Sequence, residues 1–259
     1  MRLITLNIWG GTIFEDLVSF LNKKRSTTDV FCFQEVFDSD RNVLTPNGRR
    51  SNMLDNLKNI LVDFDFLYSP LYHGRDFDKI VNYPLAAGNA IFWKKELKPK
   101  EKGQIFTHNS EDDVRPFPNS TKPDVPRNFQ YLAFDKFIVL NIHGYWNPAP
   151  KTDTPKRLEQ SQKIINFIES QNLPALVCGD FNLAISTKSV EILESSGLRN
   201  LVRESKAKTT RTKYYNVKWR KKDKFADYIF ASSEINVFDF KVLPDAVSDH
   251  SALFVEFEV

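Results

Sequence analysis

The sequence predicts a mixed α and β chain arranged as two halves, each a sheet with helices on its outer side. Three observations predict it. Short strand-like runs alternate with stretches of helical period along the chain. Residues 2–37 read strand, helix, strand, a βαβ unit whose strands must be parallel neighbours. Further on, "NFQYLAF" and "KFIVLNIH" read as an antiparallel pair, and a long helix and another apolar strand follow them.

The elements follow in order. "RLITLNIW" is the first strand. A helix over roughly 13–24 places Leu17, Phe20 and Leu21 at core spacing, and "DVFCFQEV" is the second strand. A polar stretch precedes a short helix near 51–61. "FDFLYS", "GNAIFWKK" and "KGQIFTH" read as strands, and the Pro-rich, polar residues 109–127 as a long loop. Asp135 and Lys136 turn the antiparallel pair. "TDTPKRLEQSQKIINFIESQ" is the best helix, with Thr154 as N-cap, Pro155 at the first helical position, and Leu158, Ile165 and Ile168 as the inner stripe. "PALVCGDF" is a strand, 188–195 a helix stopped by Gly197, and "FADYIFAS", "NVFDFKVL" and "SALFVEFEV" are the last strands.

A chain of 259 residues with no repeat and no dividing linker reads as a single domain over 1–259, large enough for a sizeable core. Its composition excludes a disordered chain and a coiled coil. No apolar run approaches the roughly 18 residues of a membrane helix, and the N-terminus reads as a strand rather than a signal peptide. Cys32 and Cys178 lie in apolar runs and read as buried free thiols of a reducing, cytoplasmic setting. No Cys/His spacing suggests zinc. The net charge of +3 is uneven: residues 206–224 hold nine Lys/Arg and one Asp, a net +8 against −5 for the rest. That segment points to an anionic partner.

Polar residues end several apolar strands. They are Asn7 in "TLNIWG", Glu35 in "FQEVF", His143 in "LNIHGYW", Asp180 and Asn182 in "GDFN", Asp227 in "ADYIF", and Asp249 and His250 in "VSDHSAL". Ligands gather at the carboxyl edge of parallel strands, where Asn7 and Glu35 fall. Strand alternation sets Asp180 and Asn182 on one face, although Gly, Asp and Asn are also turn residues. A buried Asp227 needs a partner, which a histidine would supply.

In this order and spacing the residues resemble the endonuclease/exonuclease/phosphatase superfamily of metal-dependent phosphoesterases, on its deoxyribonuclease I-like and tyrosyl-DNA phosphodiesterase-like side. "GDFN" and "SDH" are the most specific pieces. "NIH", "GNAIFWKK" and "RLEQSQ" add less specific likeness, and the match spans nearly the whole chain. The resemblance implies a four-layer α/β/β/α sandwich: two mixed sheets packed face to face, helices outside, and a site where loops of both sheets meet.

It also implies Mg²⁺, with Mn²⁺ as a substitute, held by Glu35 with Asn7 and Asp249. These are hard oxygen donors of the kind Mg²⁺ takes. Phosphodiester hydrolysis needs charge offset, an aimed water and a stabilised leaving oxygen. Asp180 is the candidate for aiming the water, with Asn182 beside it. His250 and His143 would contact phosphate, and Asp227 would fix the His250 tautomer and raise its pKa. Adjacent strand residues face opposite ways, so "SDH" must lie in a turn for both Asp249 and His250 to serve. Asn89 would support the site.

The expected substrate is nucleic acid, bound by Lys218, Trp219, Arg220, Lys221 and Lys222, where Lys/Arg interleave with aromatics. Tyr145 and Trp146 flank a motif residue and would line a pocket. The alternatives are a lipid, inositol or other small phosphorylated substrate, and a binding module with dead chemistry. The protein is expected to be a monomer with no stable membrane association.

Overall fold

The computed structural model describes residues 1–220 and 223–259. Two six-stranded mixed sheets carry the fold. Sheet 1 contains β1 (Arg2–Asn7), β2 (Val30–Asp38), β3 (Phe64–His73), β4 (Ala86–Lys94), β11 (Asn236–Val242) and β12 (Leu253–Glu258), in the order β11-β12-β1-β2-β4-β3. Sheet 2 contains β5 (Glu101–His108), β6 (Arg127–Ala133), β7 (Ile138–His143), β8 (Ala175–Asp180), β9 (Arg199–Asn200) and β10 (Asp227–Ala231), in the order β9-β10-β8-β7-β6-β5. Two further two-residue hairpin ladders stand outside the sheets, Arg75–Asp76 with Lys79–Ile80 and Arg115–Pro116 with Pro123–Asp124. The second lies in the segment expected to be loop throughout.

Each sheet has one parallel pair. In sheet 1, β1 and β2 are joined across α1 (Phe14–Lys24); in sheet 2, β7 and β8 are joined across α3 (Pro155–Gln171). The remaining strand pairs of both sheets are antiparallel. Asn7 ends β1, and His143 and Asp180 end β7 and β8 side by side. The carboxyl edges of both parallel pairs therefore supply the site, as expected for ligands of parallel strands.

Alternation along the strands builds the layers. Ile4, Leu6, Phe31 and Phe33 pack on Leu17, Phe20 and Leu21 of α1 and on Met53 and Leu57 of α2 (Met53–Ile60). Leu3, Cys32 and Ile91 share the other core with Phe129, Leu140, Ile142 and Leu176 of sheet 2. α3 and α4 (Lys188–Ser195) lie against sheet 2 through Ile164, Ile165, Val190 and Leu193. This is the four-layer α/β/β/α sandwich expected from the sequence. Both cysteines are buried free thiols. Among the described residues no helix is long and apolar enough to cross a membrane.

α3 begins as read: the Thr154 hydroxyl accepts the Arg157 N–H at 3.3 Å and Pro155 is the first helical residue. Its inner stripe is rotated from the expected one. Arg157, Gln160, Ser161, Ile164 and Ile165 are buried, while Leu158 and Ile168 are half-buried. The Arg157 guanidinium donates to the Pro150 and Thr152 carbonyls at 2.8 and 2.5 Å, which lets a charged side chain replace an apolar one there.

The face between the sheets is polar near the site. Gln34 Nε2 donates to Asn141 Oδ1 at 2.6 Å, and Asn141 Nδ2 to Gln130 Oε1 at 2.9 Å. Gln130 Nε2 donates to Ser69 Oγ at 2.9 Å, and Asn89 Nδ2 to Asn128 Oδ1 at 2.8 Å. Buried amides paired in this way fix the register of one sheet on the other.

Candidate active site

Glu35 reaches the cleft through a bulge. The β2–β4 register slips between Phe33 and Val36, and Glu35 takes φ 57°. Gln34 then faces the core while Glu35 is only half-buried. Asn7 Nδ2 donates to Glu35 Oε1 at 3.1 Å and to Asp180 Oδ2 at 3.2 Å. Its Oδ1 accepts the Trp9 N–H at 3.0 Å, which fixes which end of the amide faces the carboxylates. Asn7 thus orients Glu35 through its nitrogen, where the sequence suggested an oxygen ligand. Behind Glu35, Arg49 lies 3.7 Å from Oε2 and pairs with the fully buried Asp76.

Asp180 closes β8, and Asn182 lies beyond the strand at φ 55°. Their shared orientation comes from a turn rather than from strand alternation. The Asn182 N–H donates to Asp180 Oδ1 at 2.9 Å, which leaves Oδ2 toward Asn7. The turn reading of "GDFN" holds, and the turn keeps Asp180 and Asn182 together at the cleft. Gly179 has φ 132°, and a Cβ there would stand 2.1 Å from the Ile142 carbonyl oxygen, so only glycine lets β7 and β8 close here. Asn182 Nδ2 donates to Gly144 O at 3.2 Å, and its Oδ1 accepts Lys151 Nζ at 3.1 Å. Burial works against charge on Asp180, but His250, Lys151, His143 and Arg211 hold its carboxyl well below the usual range.

His250 Nδ1 lies 2.7 Å from Asp227 Oδ1, and Asp227 Oδ2 accepts the Thr210 hydroxyl at 2.9 Å. The Asp227 carboxylate thus places a proton on Nδ1. His250 Nε2 faces Asp180 Oδ2 at 3.7 Å and contacts an Arg211 guanidinium nitrogen. Burial and Arg211 disfavour the imidazolium, yet Asp227, Asp249 and Asp180 outweigh them and the His250 pKa is raised. Residues 247–249 form the bend that the two-sided use of "SDH" required. Ser248 Oγ donates to the Asn7 carbonyl at 2.7 Å, tying the bend to the end of β1.

His143 sits across from His250, with Nε2 4.0 Å from Asp180 Oδ2 and Nδ1 3.4 Å from Arg127. Burial and Arg127 push its pKa well down, which favours the neutral imidazole.

These groups wall a cleft of about 240 Å³. Glu35, His143, Asp180, Asn182, Asp249, His250 and Trp146 line it, while Asn7 and Asp227 stand directly behind the wall. Asn89 and Tyr145 are not brought to it. Asn89 is fully buried between the sheets, and Tyr145 is 4% exposed and packed edge-on to His108. Lys218 is exposed and does not line the cleft. Lys221, Lys222 and the side chains of Trp219 and Arg220 lie outside the described residues.

The sequence reading missed four cations on the wall: Arg49, Arg127, Lys151 and Arg211. Only Arg211 carried a signal, as one of the charges in the basic segment, and it turns inward there to stack over the Tyr215 ring at 4.2 Å.

Glu35 and Asp249 keep side-chain exposures of 26% and 17% and are hard oxygen donors, which suits Mg²⁺ or Mn²⁺. Asp180, Asp227 and His250 also bring one ligand atom each within 4.8 Å of one another. His250 there already spends Nδ1 on Asp227, so this group is a hydrogen-bonded relay.

Hard-oxygen side chains, a fixed carboxylate and paired histidines gather between the two sheets, a setting that suits a phosphoric ester hydrolase. The chain belongs to the Endonuclease/Exonuclease/phosphatase family, whose model matches residues 4–250. Members of this family hydrolyse phosphate esters and generally depend on a divalent metal. Solved structures share the fold. A family protein from Leptotrichia buccalis C-1013-b is 20% identical with a TM-score of 0.70, covering 100% of both chains. A mannosyl-6-phosphatase from Bacteroides thetaiotaomicron VPI-5482 is 20% identical with a TM-score of 0.68, again over 100% of both. The human Nocturnin catalytic domain is 18% identical with a TM-score of 0.63, covering 100% of this chain and 93% of that one. No curated protein sequence matches the chain.

Proposed function

We propose that the protein is a Mg²⁺-dependent phosphoesterase in which water attacks phosphorus in line, with Asp180 aiming and accepting the proton of that water. The observation that carries this is the fixed Asp180 carboxylate. One oxygen is held by the Asn182 N–H, and the other faces Asn7, His143 and His250. A carboxylate kept ionised and immobile in this way suits a water-orienting base. Glu35 and Asp249 would hold the metal ion, with Asn7 orienting Glu35. When bound, the ion offsets negative charge on the phosphate. His250, as the imidazolium that Asp227 favours through Nδ1, donates from Nε2 to a phosphoryl oxygen, and neutral His143 donates to another.

For the leaving group, the nucleic-acid reading rests on the net +8 of residues 206–224. A small phosphorylated substrate is the second reading, favoured by the aromatic and cationic wall of the cleft. The test is purified protein with Mg²⁺ or Mn²⁺, and with excess chelator, against single- and double-stranded DNA, RNA, sugar and inositol phosphates, and sphingomyelin. Metal-dependent hydrolysis of at least one ester is expected. Full turnover in chelator, or none on any ester, overturns the proposal.

A further inference from the structure

Tyr72 and Arg127 both line the cleft, and each is 6% exposed. Each is the side chain whose charge the other feels most strongly. The Tyr72 ring belongs to the core that sheet 1 shares with α1 and α2, yet its hydroxyl holds no hydrogen bond to any described residue. Arg127 makes no ion pair among the described residues. Its one side-chain hydrogen bond runs from a guanidinium nitrogen to His143 Nδ1 at 3.4 Å, its Nε is a buried donor without an acceptor, and Nη2 is left over. Burial lowers its pKa and outweighs Tyr72, Glu35, Asp180 and Asp124, which favour the charge; around Arg211 the acids win instead. Buried donors need acceptors, and none of the described residues supplies one here.

Irregular backbone aims both side chains. The β3–β4 register slips between Pro70 and Tyr72, and the β5–β6 register slips between Arg127 and Asn128. Such bulges re-aim a side chain beside a site, as one does at Glu35. Ala87 pairs with Tyr72 across the ladder, and Ala87 and Gly88 are the small residues that line the cleft there. Burial pushes the Tyr72 phenol up to about 12, so it keeps its proton and can donate.

His143 gives the position. An arginine can only donate, so His143 Nδ1 accepts and the imidazole proton is on Nε2, toward Asp180 Oδ2 at 4.0 Å. Arg127 therefore stands on the far side of the His143 ring from Asp180. The reacting phosphate belongs beside Asp180 and His143 Nε2, and Arg127 with Tyr72 marks a second position about one imidazole away. A guanidinium fork beside a phenol, out of water and without an acceptor, matches an oxyanion better than a neutral hydroxyl, because an oxyanion brings several acceptor oxygens and a charge.

We propose that Tyr72 and Arg127 form a second anion subsite beside the reaction centre, which takes a carboxylate or phosphate that the substrate carries next to the ester being cleaved. This rests on the phosphoesterase reading and names its substrate class. The second oxyanion belongs either to a small phosphorylated metabolite or to the neighbouring phosphate of a nucleic acid.

The first arm of the test needs no turnover. Calorimetry with Mg²⁺ present compares 3-phosphonopropionate with propylphosphonate, which lacks the carboxylate, for wild type, Tyr72→Phe and Arg127→Gln. Wild type should bind 3-phosphonopropionate about 10-fold more tightly or better, the scale of one hydrogen bond to a charged group. Both variants should close most of that gap. Tyr72→Phe should melt no lower than wild type, since its hydroxyl holds nothing within the protein. Should Arg127→Gln fail to fold, Tyr72→Phe decides alone. Equal affinity in wild type, an undiminished gap in Tyr72→Phe, or a lowered midpoint in that variant overturns the assignment.

The second arm compares kcat/KM with Mg²⁺ or Mn²⁺ within two pairs: 3-phosphoglycerate against glycerol 3-phosphate, and thymidylyl-thymidine with against without a 5′-phosphate. The member with the second oxyanion should lead by about 10-fold or more in one pair. A lead in the first pair identifies a small metabolite, and a lead in the second a nucleic acid. Hydrolysis with no lead in either pair overturns the subsite and leaves the phosphoesterase standing. A phosphonate gap that Tyr72→Phe closes, without hydrolysis of any ester, overturns the phosphoesterase reading and leaves the subsite standing.

Discussion

Asn7 and Asp180 stand 173 positions apart in sequence and on different sheets, yet Asn7 Nδ2 donates to Asp180 Oδ2 at 3.2 Å. The same nitrogen donates to Glu35 Oε1 at 3.1 Å. One amide therefore couples the carboxylate that would hold the metal to the carboxylate that would aim the water. Neither function can be positioned until the two sheets have docked.

Activity should need a divalent cation, and Glu35→Gln should lose most of it. Gln keeps the bond from Asn7 in part but gives up the charge a hard cation requires. The measurement is a Mg²⁺ titration of rate: wild type saturates, and the variant shows a much higher half-saturating concentration. An unchanged Mg²⁺ dependence would remove Glu35 from the metal site.

Asp180→Asn should lower kcat by about 10²–10⁴-fold, the usual scale for a positioned acid or base. The turn itself should persist, because the amide oxygen still accepts the Asn182 N–H. KM should move little. Near-normal kcat would leave Asp180 as a turn residue only.

Asp227→Asn should also impair turnover, by about 10²-fold or more, because the amide cannot hold His250 Nδ1 protonated as firmly. Thr210→Val removes the 2.9 Å bond to Asp227 and the bonds that the hydroxyl accepts from the Ala226 and Asp227 N–H at 3.2 and 3.3 Å, but leaves the Asp227–His250 bond in place and should cost less. Equal losses in both variants would point to collapse of the local structure instead.

Lys151 gives a pH signature. Burial and the neighbouring Arg211 push its ammonium down to about 8. The unfolded chain holds that proton up to about pH 10.4. Between the two values the unfolded state binds more protons, so this group's contribution to stability rises with pH, by on the order of 3 kcal/mol in full. Urea unfolding from pH 7 to 10.5 should show that rise in wild type and not in Lys151→Met.

Gly179→Ala should destabilise the fold by about 3 kcal/mol or more. The new Cβ would stand 2.1 Å from the Ile142 carbonyl oxygen, on a backbone at φ 132°. A denaturation midpoint near wild type would mean that β8 can shift away from β7.

Much of the site was legible because local chemistry marks it. Asp180, His143, Asp249 and His250 are polar residues at the ends of apolar strands, and their order along the chain resembles a known family. The helix start at Thr154 and Pro155 was legible because capping is settled within one turn. Other features looked alike in sequence and diverged in space. Asn89 follows Gly88 in a strand much as Asn182 follows Phe181 after one, yet Asn89 points between the sheets and bonds Asn128. The left-handed backbone at Glu35 has no sequence mark of its own, whereas Asn182 is of a type that takes that conformation readily.

By itself, then, the sequence determined the succession of strands and helices, the first parallel crossover and the strand-end carboxylates and histidines. Apolar periodicity and caps act over a few residues and can be read there. Only the tertiary structure decided the cationic wall. Arg49, Arg127, Lys151 and Arg211 come from four separate segments, and in sequence Arg49, Arg127 and Lys151 resemble solvated surface charges while Arg211 is one charge of the basic segment. Sheet docking takes Arg127, Lys151 and Arg211 out of water around Asp180, and that desolvation depends on contacts between segments far apart in the chain, which no local pattern records.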